Sequence, residues 1–302
     1  MTAAILVTGA NGLVGRATLA RLGPSRRVYA ILRASPGNPL PAGALPVVHD
    51  LRRGEDPALA EIPETIVHLA QSARYRDFPE GALDVFEVNV GATQRLLDLA
   101  SRTGVKRFVY ASSGGVYGHG EAPFDEEAPL APDTSLGHYL GSKRCGELVS
   151  RAYQGRMTVV VLRFFFVYGP GQRSTMLIPR LIESVRSGRP IVLQGNDGIR
   201  VNPIYAEDAA AAVEAAIGLQ ASTTVNVAGP DVLTLRRLAS LIAEAIGHEP
   251  RFEVRGGAQP AHLVGDTERM ARLLVPPQVG VAEGLRRTLA RPESSSRAHH
   301  AG

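Results

Sequence analysis

Tyr139 and Lys143 stand four residues apart in the run Tyr139-Leu140-Gly141-Ser142-Lys143, a spacing that puts a phenol and an ammonium on one face of a helix. A phenol with a pKa of about 10 handles protons poorly at neutral pH unless its anion is stabilised. A neighbouring ammonium supplies part of that stabilisation and points to general acid/base work. The spacing occurs often by chance, but Lys106 and Lys143 are the only lysines among 33 basic residues. In a chain that otherwise uses Arg, a Lys marks a need for a compact ammonium on a flexible stem. Upstream, Ser112-Ser113-Gly114-Gly115-Val116-Tyr117-Gly118 offers hydroxyls that can bond a substrate oxygen and steady a developing alkoxide. A plain Ser/Gly turn is the alternative there, as a structural Tyr with an exposed Lys is for the pair.

A third group opens the chain. Thr8-Gly9-Ala10-Asn11-Gly12-Leu13-Val14-Gly15 follows an apolar run and leads into a helical one. Its glycines permit a tight turn, close backbone approach to a pyrophosphate and close helix-to-strand contact, while the helix N-terminus supplies N–H donors. In that context the turn is a dinucleotide site. The positive ring of a nicotinamide cofactor would join Lys143 in lowering the phenol of Tyr139, by about three units or about 4 kcal/mol together. An acid is expected at the end of the second strand to bind the adenosine ribose, yet the residues there are Leu32-Arg33-Ala34-Ser35. A guanidinium beside a hydroxyl suits a 2′-phosphate, so Arg33 favours NADP over NAD; an Arg33 turned to solvent over bound NAD is the alternative. Asp50-Leu51 would flank the adenine, and Leu69-Ala70-Gln71-Ser72 would line the middle of the cofactor.

These groups need a scaffold. Apolar runs at residues 5–7, 28–32, 46–48, 66–69, 107–110 and 159–162 read as strands buried on both faces of a parallel sheet. Helical periodicity fills 13–22, 83–102 and 139–153, which implies a doubly wound α/β layer with right-handed crossovers. Beyond residue 170 the pattern loosens, with helices expected at 176–187, 207–219 and 235–246 and short strands at 191–193 and 224–227. The expected organisation is a cofactor domain over 1–170, a smaller substrate lobe over 171–290, a return to the first sheet around 200–228, and a frayed tail over 291–302.

Composition removes other classes. One cysteine, Cys145, excludes an intrachain disulfide and a multi-thiolate metal site, and is expected to be a buried core thiol. The eight histidines show no HxxxH or HExxH spacing, so no metal is expected. No apolar run reaches the roughly 20 residues of a membrane span, and no secretory signal is visible, so a cytoplasmic protein is expected. The net charge of +4 comes from basic residues scattered among acids; it suits an anionic small molecule about as well as nucleic acid, and a merely solvated surface is its simplest explanation.

Taken together, Thr8 to Gly15, His68-Leu69-Ala70, Asn89-Val90-Gly91-Ala92-Thr93, Ser112 to Gly118, Tyr139 to Lys143, Arg163 to Gly171 and Arg200 to Asp208 resemble the extended short-chain dehydrogenase/reductases, the NAD-dependent epimerase/dehydratase family. The resemblance covers nearly the whole chain. It implies a Rossmann cofactor domain with a small C-terminal α/β substrate lobe, dimeric through the helices carrying Asn89 and Tyr139. It carries the catalytic set onto Ser113, Tyr139 and Lys143, the asparagine near the nicotinamide onto Asn89, and the cofactor-contacting aromatic onto Phe165. Arg200 and Arg255 match positions where relatives place arginines against the substrate diphosphate. Three departures qualify it. Gly114-Gly115 replaces the acidic pair of the dehydratases, so water elimination lacks its proton donors; Phe166 replaces an asparagine that contacts the sugar nucleotide; and Arg33 replaces the usual acid, as in NADP-using reductases. The resulting reading is a ketoreductase moving hydride to or from a carbonyl carbon of a nucleotide-linked sugar. The alternatives are an epimerase without net cofactor turnover and a cofactor-sensing protein without catalysis.

Overall fold

The computed structural model describes residues 3–36, 39–256 and 261–290; the tail expected to fray lies outside them. The chain opens with β1 (Ile5–Thr8), buried at every position, followed by α1 (Leu13–Leu22), β2 (Val28–Leu32), β3 (Ala44–Val48) and β4 (Thr65–His68). Helix α2 (Ala82–Phe86) passes through a π turn (Glu87–Gly91) into α3 (Ala92–Thr103), so the helix expected over 83–102 carries an irregular turn where Asn89 sits. Next come β5 (Arg107–Ser113), α4 (Gly137–Arg151) and β6 (Thr158–Phe164). Then follow α5 (Leu177–Ser187), β7 (Ile191–Gln194), β8 (Arg200–Val201), α6 (Ala206–Ile217) and β9 (Thr223–Val227). The chain continues with β10 (Leu233–Thr234), α7 (Leu235–Ile246), β11 (Phe252–Arg255), α8 (Glu268–Leu273) and α9 (Val281–Ala290).

Seven strands form one parallel sheet in the order β3-β2-β1-β4-β5-β6-β9. The order reverses at β1 and β4, and this switch point opens a crevice beyond the C-terminal strand ends. One face is covered by α1 and α6, whose Leu19, Leu22, Ala209 and Val213 share a core with Val7, Val67 and Val160. The other is covered by α3 and α4, with Leu97, Ala100, Phe108 and Val161 fully buried between layers. The continuous apolar strands thus follow from burial on both faces.

A second core joins α5, α7 and α9 through Leu181, Val185, Leu238, Ile242 and Leu285. Two short ladders flank it: β8 with β10, antiparallel, and β7 with β11, parallel. Met270 of α8 returns to the core of the large sheet. Cys145 is exposed rather than buried: the buried side of α4 runs through Ser142, Lys143, Gly146, Glu147 and Ser150, and position 145 falls between those turns. No helix among the described residues is long and apolar enough to cross a membrane.

Candidate active site

The glycine turn joins β1 to α1. Gly9 has φ +69°, and a Cβ there would lie 2.7 Å from the Ala70 nitrogen and the Leu69 carbonyl carbon. A Cβ on Gly15 would lie 2.1 Å from the Gly9 oxygen. These two glycines therefore fold the turn onto itself and onto the end of β4. Gly12 is different: it is exposed, caps α1 without a side-chain hydrogen bond, and precedes half-buried Leu13 and Val14 in the first turn. A pyrophosphate fits that bare helix end, so the turn accommodates a dinucleotide. Arg16 spans the mouth, donating to the Asn11 oxygen at 2.6 Å and the Gly171 oxygen at 3.4 Å. We expect Gly15→Ala to lower thermal stability by about 1–3 kcal/mol, because only backbone can give way, and to weaken dinucleotide binding in a fluorescence titration. An unchanged affinity would show that the turn does not form the site.

Arg33 leaves β2 exposed, with no hydrogen bond or ion pair to a described residue. Asp50 is clasped by Arg52 through hydrogen bonds of 2.6–3.1 Å, which hold its carboxyl at about 2. Arg52 also reaches Asp84 at 3.1 Å, and the Leu51 oxygen accepts from Arg95 at 2.6 Å. The surroundings of Asp50 and Leu51 are thus built by two arginines, Arg52 and Arg95, that sequence reading did not single out.

The catalytic candidates converge where β5 ends against α4. Lys143 is 2% exposed and donates to the Ala111 oxygen at 3.0 Å, leaving two further N–H donors. Burial brings its ammonium down to about 8. The Ser113 hydroxyl accepts from the Gly115 nitrogen at 3.1 Å and keeps its own O–H to donate. Tyr139 donates to Gln71 Oε1 at 3.0 Å and packs against the ring of Tyr75, 4.8 Å away. Its pKa is raised rather than lowered: burial dominates and Tyr75 adds to it, with Arg76 opposing. The protein alone therefore holds the phenol protonated, and the charge that opposes its burial is Arg76 on the loop after β4.

Asn89 is 1% exposed and ties two elements together, accepting from the Ser72 nitrogen at 2.9 Å and donating to Ser142 Oγ at 2.8 Å. Both ends of its amide are occupied by protein, so it locks the loop after β4 to α4. Phe165 is 1% exposed, its ring wedged between Gly114 and Gly265 and stacked near Tyr117; it serves as core. Phe166 is half-buried with φ 42°, unusual for a residue with a side chain, and packs against the core of α5, α7 and α9 and against a small cluster around Phe165, Tyr117 and Leu263. Arg200 donates to the Glu121 oxygen at 2.6 Å and lines a cleft of about 340 Å³ with Glu121, Asn196, Asp197, Thr234 and His262. Arg255 lies exposed on β11, paired with Glu253 at 2.8 Å, and does not line that cleft.

Two buried features escaped sequence reading. His68 sits between Thr8 Oγ1 at 2.7 Å and Thr93 Oγ1 at 3.0 Å, and burial, with Lys143 nearby, keeps it neutral down to about 3. Glu147, one turn beyond Lys143, is fully buried and accepts from Arg163 at 2.9 and 2.8 Å and from Ser112 at 2.6 Å. Arg163 continues to Tyr117 Oη at 2.7 Å, which donates to Asn226 on β9 at 2.9 Å. The only sequence signal was a charged residue within an otherwise apolar strand.

A parallel sheet with this switch point, and a Tyr and Lys projecting from the helix beside its fifth strand, is the build of an extended short-chain dehydrogenase/reductase. Residues 5–228 match the NAD dependent epimerase/dehydratase family, and the chain belongs to that family of enzymes. It is 32% identical to the dTDP-glucose 4,6-dehydratase of Streptomyces griseus, over 96% of this chain and 94% of the relative. It is 29% identical to the UDP-glucuronate 4-epimerase of Thermodesulfobacterium geofontis, over 74% and 71%. Among solved structures, MoeE5 in complex with UDP-glucuronic acid and NAD has a TM-score of 0.78 at 28% identity, with 94% of this chain and 97% of that one covered. The UDP-glucose 4-epimerase of Thermus thermophilus in complex with NAD has a TM-score of 0.79 at 25% identity, covering 95% and 97%.

Proposed function

We propose that the chain oxidises or reduces a hydroxyl-bearing or carbonyl carbon of a nucleotide-linked sugar. The observation that carries this is the placement of Ser113 at the end of β5 beside α4, the helix that bears Tyr139 and Lys143, with Lys143 bonded to Ala111 of β5. A nicotinamide dinucleotide bound at the glycine turn supplies the hydride donor or acceptor. Ser113 donates its free O–H to the reacting oxygen and holds it in place. Tyr139 gives its proton to that oxygen in reduction and takes one back in oxidation. Lys143, with two N–H donors left, holds the ribose and keeps positive charge beneath the phenol. Arg200 offers a guanidinium to the diphosphate. Gly114 and Gly115 bring no carboxyl, so the dehydration named for the Streptomyces relative lacks its proton donors in this chain.

Net reduction with NADPH is the leading reading, on the strength of the unpaired Arg33. Epimerisation with retained NAD is the second, favoured by the relatives and structural neighbours named as 4-epimerases with NAD. Release and identification of the co-purifying cofactor, followed by titration of the emptied protein with NADH and NADPH, separates them. Arg33→Ala is expected to weaken NADPH by about ten- to a hundredfold, as the loss of a charge-assisted hydrogen bond of about 1.5–3 kcal/mol requires, and to leave NADH unchanged. Equal loss for both would sink the 2′-phosphate reading. Activity is to be sought with UDP-glucose, UDP-glucuronic acid and dTDP-glucose.

The reading extends to a homodimer. Leu83 and Phe86 on α2 and Leu148 on α4 are 72%, 51% and 52% exposed, an apolar face suited to a second copy, and the single cysteine suits the cytoplasm. Light scattering of Leu83→Glu/Leu148→Glu against the parent chain tests the dimer.

A further inference from the structure

The segment that follows β4 is strapped across Tyr139. Ser72 is bound through its nitrogen to Asn89 and through its hydroxyl to Asp84. On the far side Arg76 donates to the Thr175 oxygen at 2.5 Å, and the Tyr75 hydroxyl to Met176 Sδ at 3.0 Å. Held at both flanks, the strap presents Gln71 to the Tyr139 hydroxyl at 3.0 Å. Lys143, one turn further along α4, spends a donor on Ala111 instead.

We infer that Gln71 is a positioning residue for the proton carried by Tyr139, one that serves transfer in both directions. The inference rests on the catalytic reading of Tyr139. A primary amide is suited to this because it has a carbonyl and an NH₂ at one end. The carbonyl accepts from the phenol. A half turn about the last side-chain bond offers the NH₂ to the phenolate. The proton itself passes between Tyr139 Oη and the substrate oxygen, and Gln71 keeps its own protons throughout. A carboxylate at this position could only accept, and so would hold Tyr139 in its protonated form. A thioether could accept only weakly, as Met176 does from Tyr75, and could not donate. The other groups facing the phenol are Tyr75 and Arg76 on the strap and Tyr110 on β5.

The test is fluorine NMR of protein grown with meta-fluorotyrosine, whose lowered phenol pKa brings ionisation into range. The resonance missing from Tyr139→Phe identifies the residue. Gln71→Glu is expected to raise its titration midpoint by about one pH unit or more, tenfold in the ionisation constant. Gln71→Met is expected to shift the resonance at neutral pH, because the hydrogen bond to the amide is lost. A midpoint in Gln71→Glu equal to that of the parent, or an unmoved resonance in Gln71→Met, overturns the inference. Should that happen while Tyr139→Phe is inactive, the active-site reading survives without Gln71; an active Tyr139→Phe removes both.

Discussion

Tyr139→Phe is expected to lower turnover by about 10²–10⁴, the range for losing a positioned general acid or base. Dinucleotide affinity and thermal stability should stay close to those of the parent. The reason for the separation is geometric. The hydroxyl bonds Gln71 at the rim of the crevice, while the ring rests on Tyr75 and keeps that contact in the variant. Steady-state kinetics with a turned-over nucleotide sugar, beside an NADH titration, would show kcat falling and Kd unchanged. A variant as active as the parent would return the chain to the class of cofactor-sensing proteins.

Breaking the Glu147–Arg163 pair should produce the largest loss of stability. Both side chains are within 2% of complete burial, so removing Glu147 leaves the Arg163 charge without a counter-charge, at a cost of about 3–5 kcal/mol, whereas removing Arg163 leaves Glu147 with Arg144 and Arg151, each at 3.4 Å. Glu147→Leu should show the full loss in urea unfolding and Arg163→Met a smaller one. The double variant should lose less than the two added together, since it strands no charge. Burial works against the Glu147 carboxylate, but its bonds from Arg163 and Ser112 win and hold the carboxyl below its ordinary value. The sign follows: this stabilisation is complete above the ordinary carboxylate range and disappears as pH falls through the lowered value. The parent should therefore lose stability on acidification more steeply than the double variant. Activity should suffer too, because Ser112 stands between Ala111, which holds Lys143, and Ser113. Single variants within 1 kcal/mol of the parent would mean that the pair does not hold α4 to the sheet.

The parallel sheet was readable because burial on both faces leaves unbroken apolar strands, and α1 ends in the sequence where it ends in space. The Tyr139 and Lys143 spacing was readable for a similar local reason, since one helical turn sets it. What could not be read depends on which side chains meet across the fold. Asn89, which the resemblance carries to the nicotinamide, also ties the loop at Ser72 to Ser142 of α4. A local bond to Glu253 holds Arg255 at the surface. Burial and Tyr75 raise the Tyr139 phenol in the chain by itself, a contribution that spacing along the helix does not show. Glu147 and Arg163 lie 16 residues apart and on different elements, so neither periodicity nor spacing could join them.

The edge strand β9 also has a consequence for how the protein is made. It is the seventh strand of the large sheet, yet residues 165–222, including all of α5 and α6, must leave the ribosome before it can dock on β6. Until α6 arrives, α1 has no helix beside it on its face of the sheet. The first six strands therefore wait with an open edge at β6 and a half-covered apolar layer, the kind of partly assembled state that aggregates. Translation that stalls between about residues 170 and 220 should yield a nascent chain that depends on chaperones, and release of the segment through residue 227 should end that dependence.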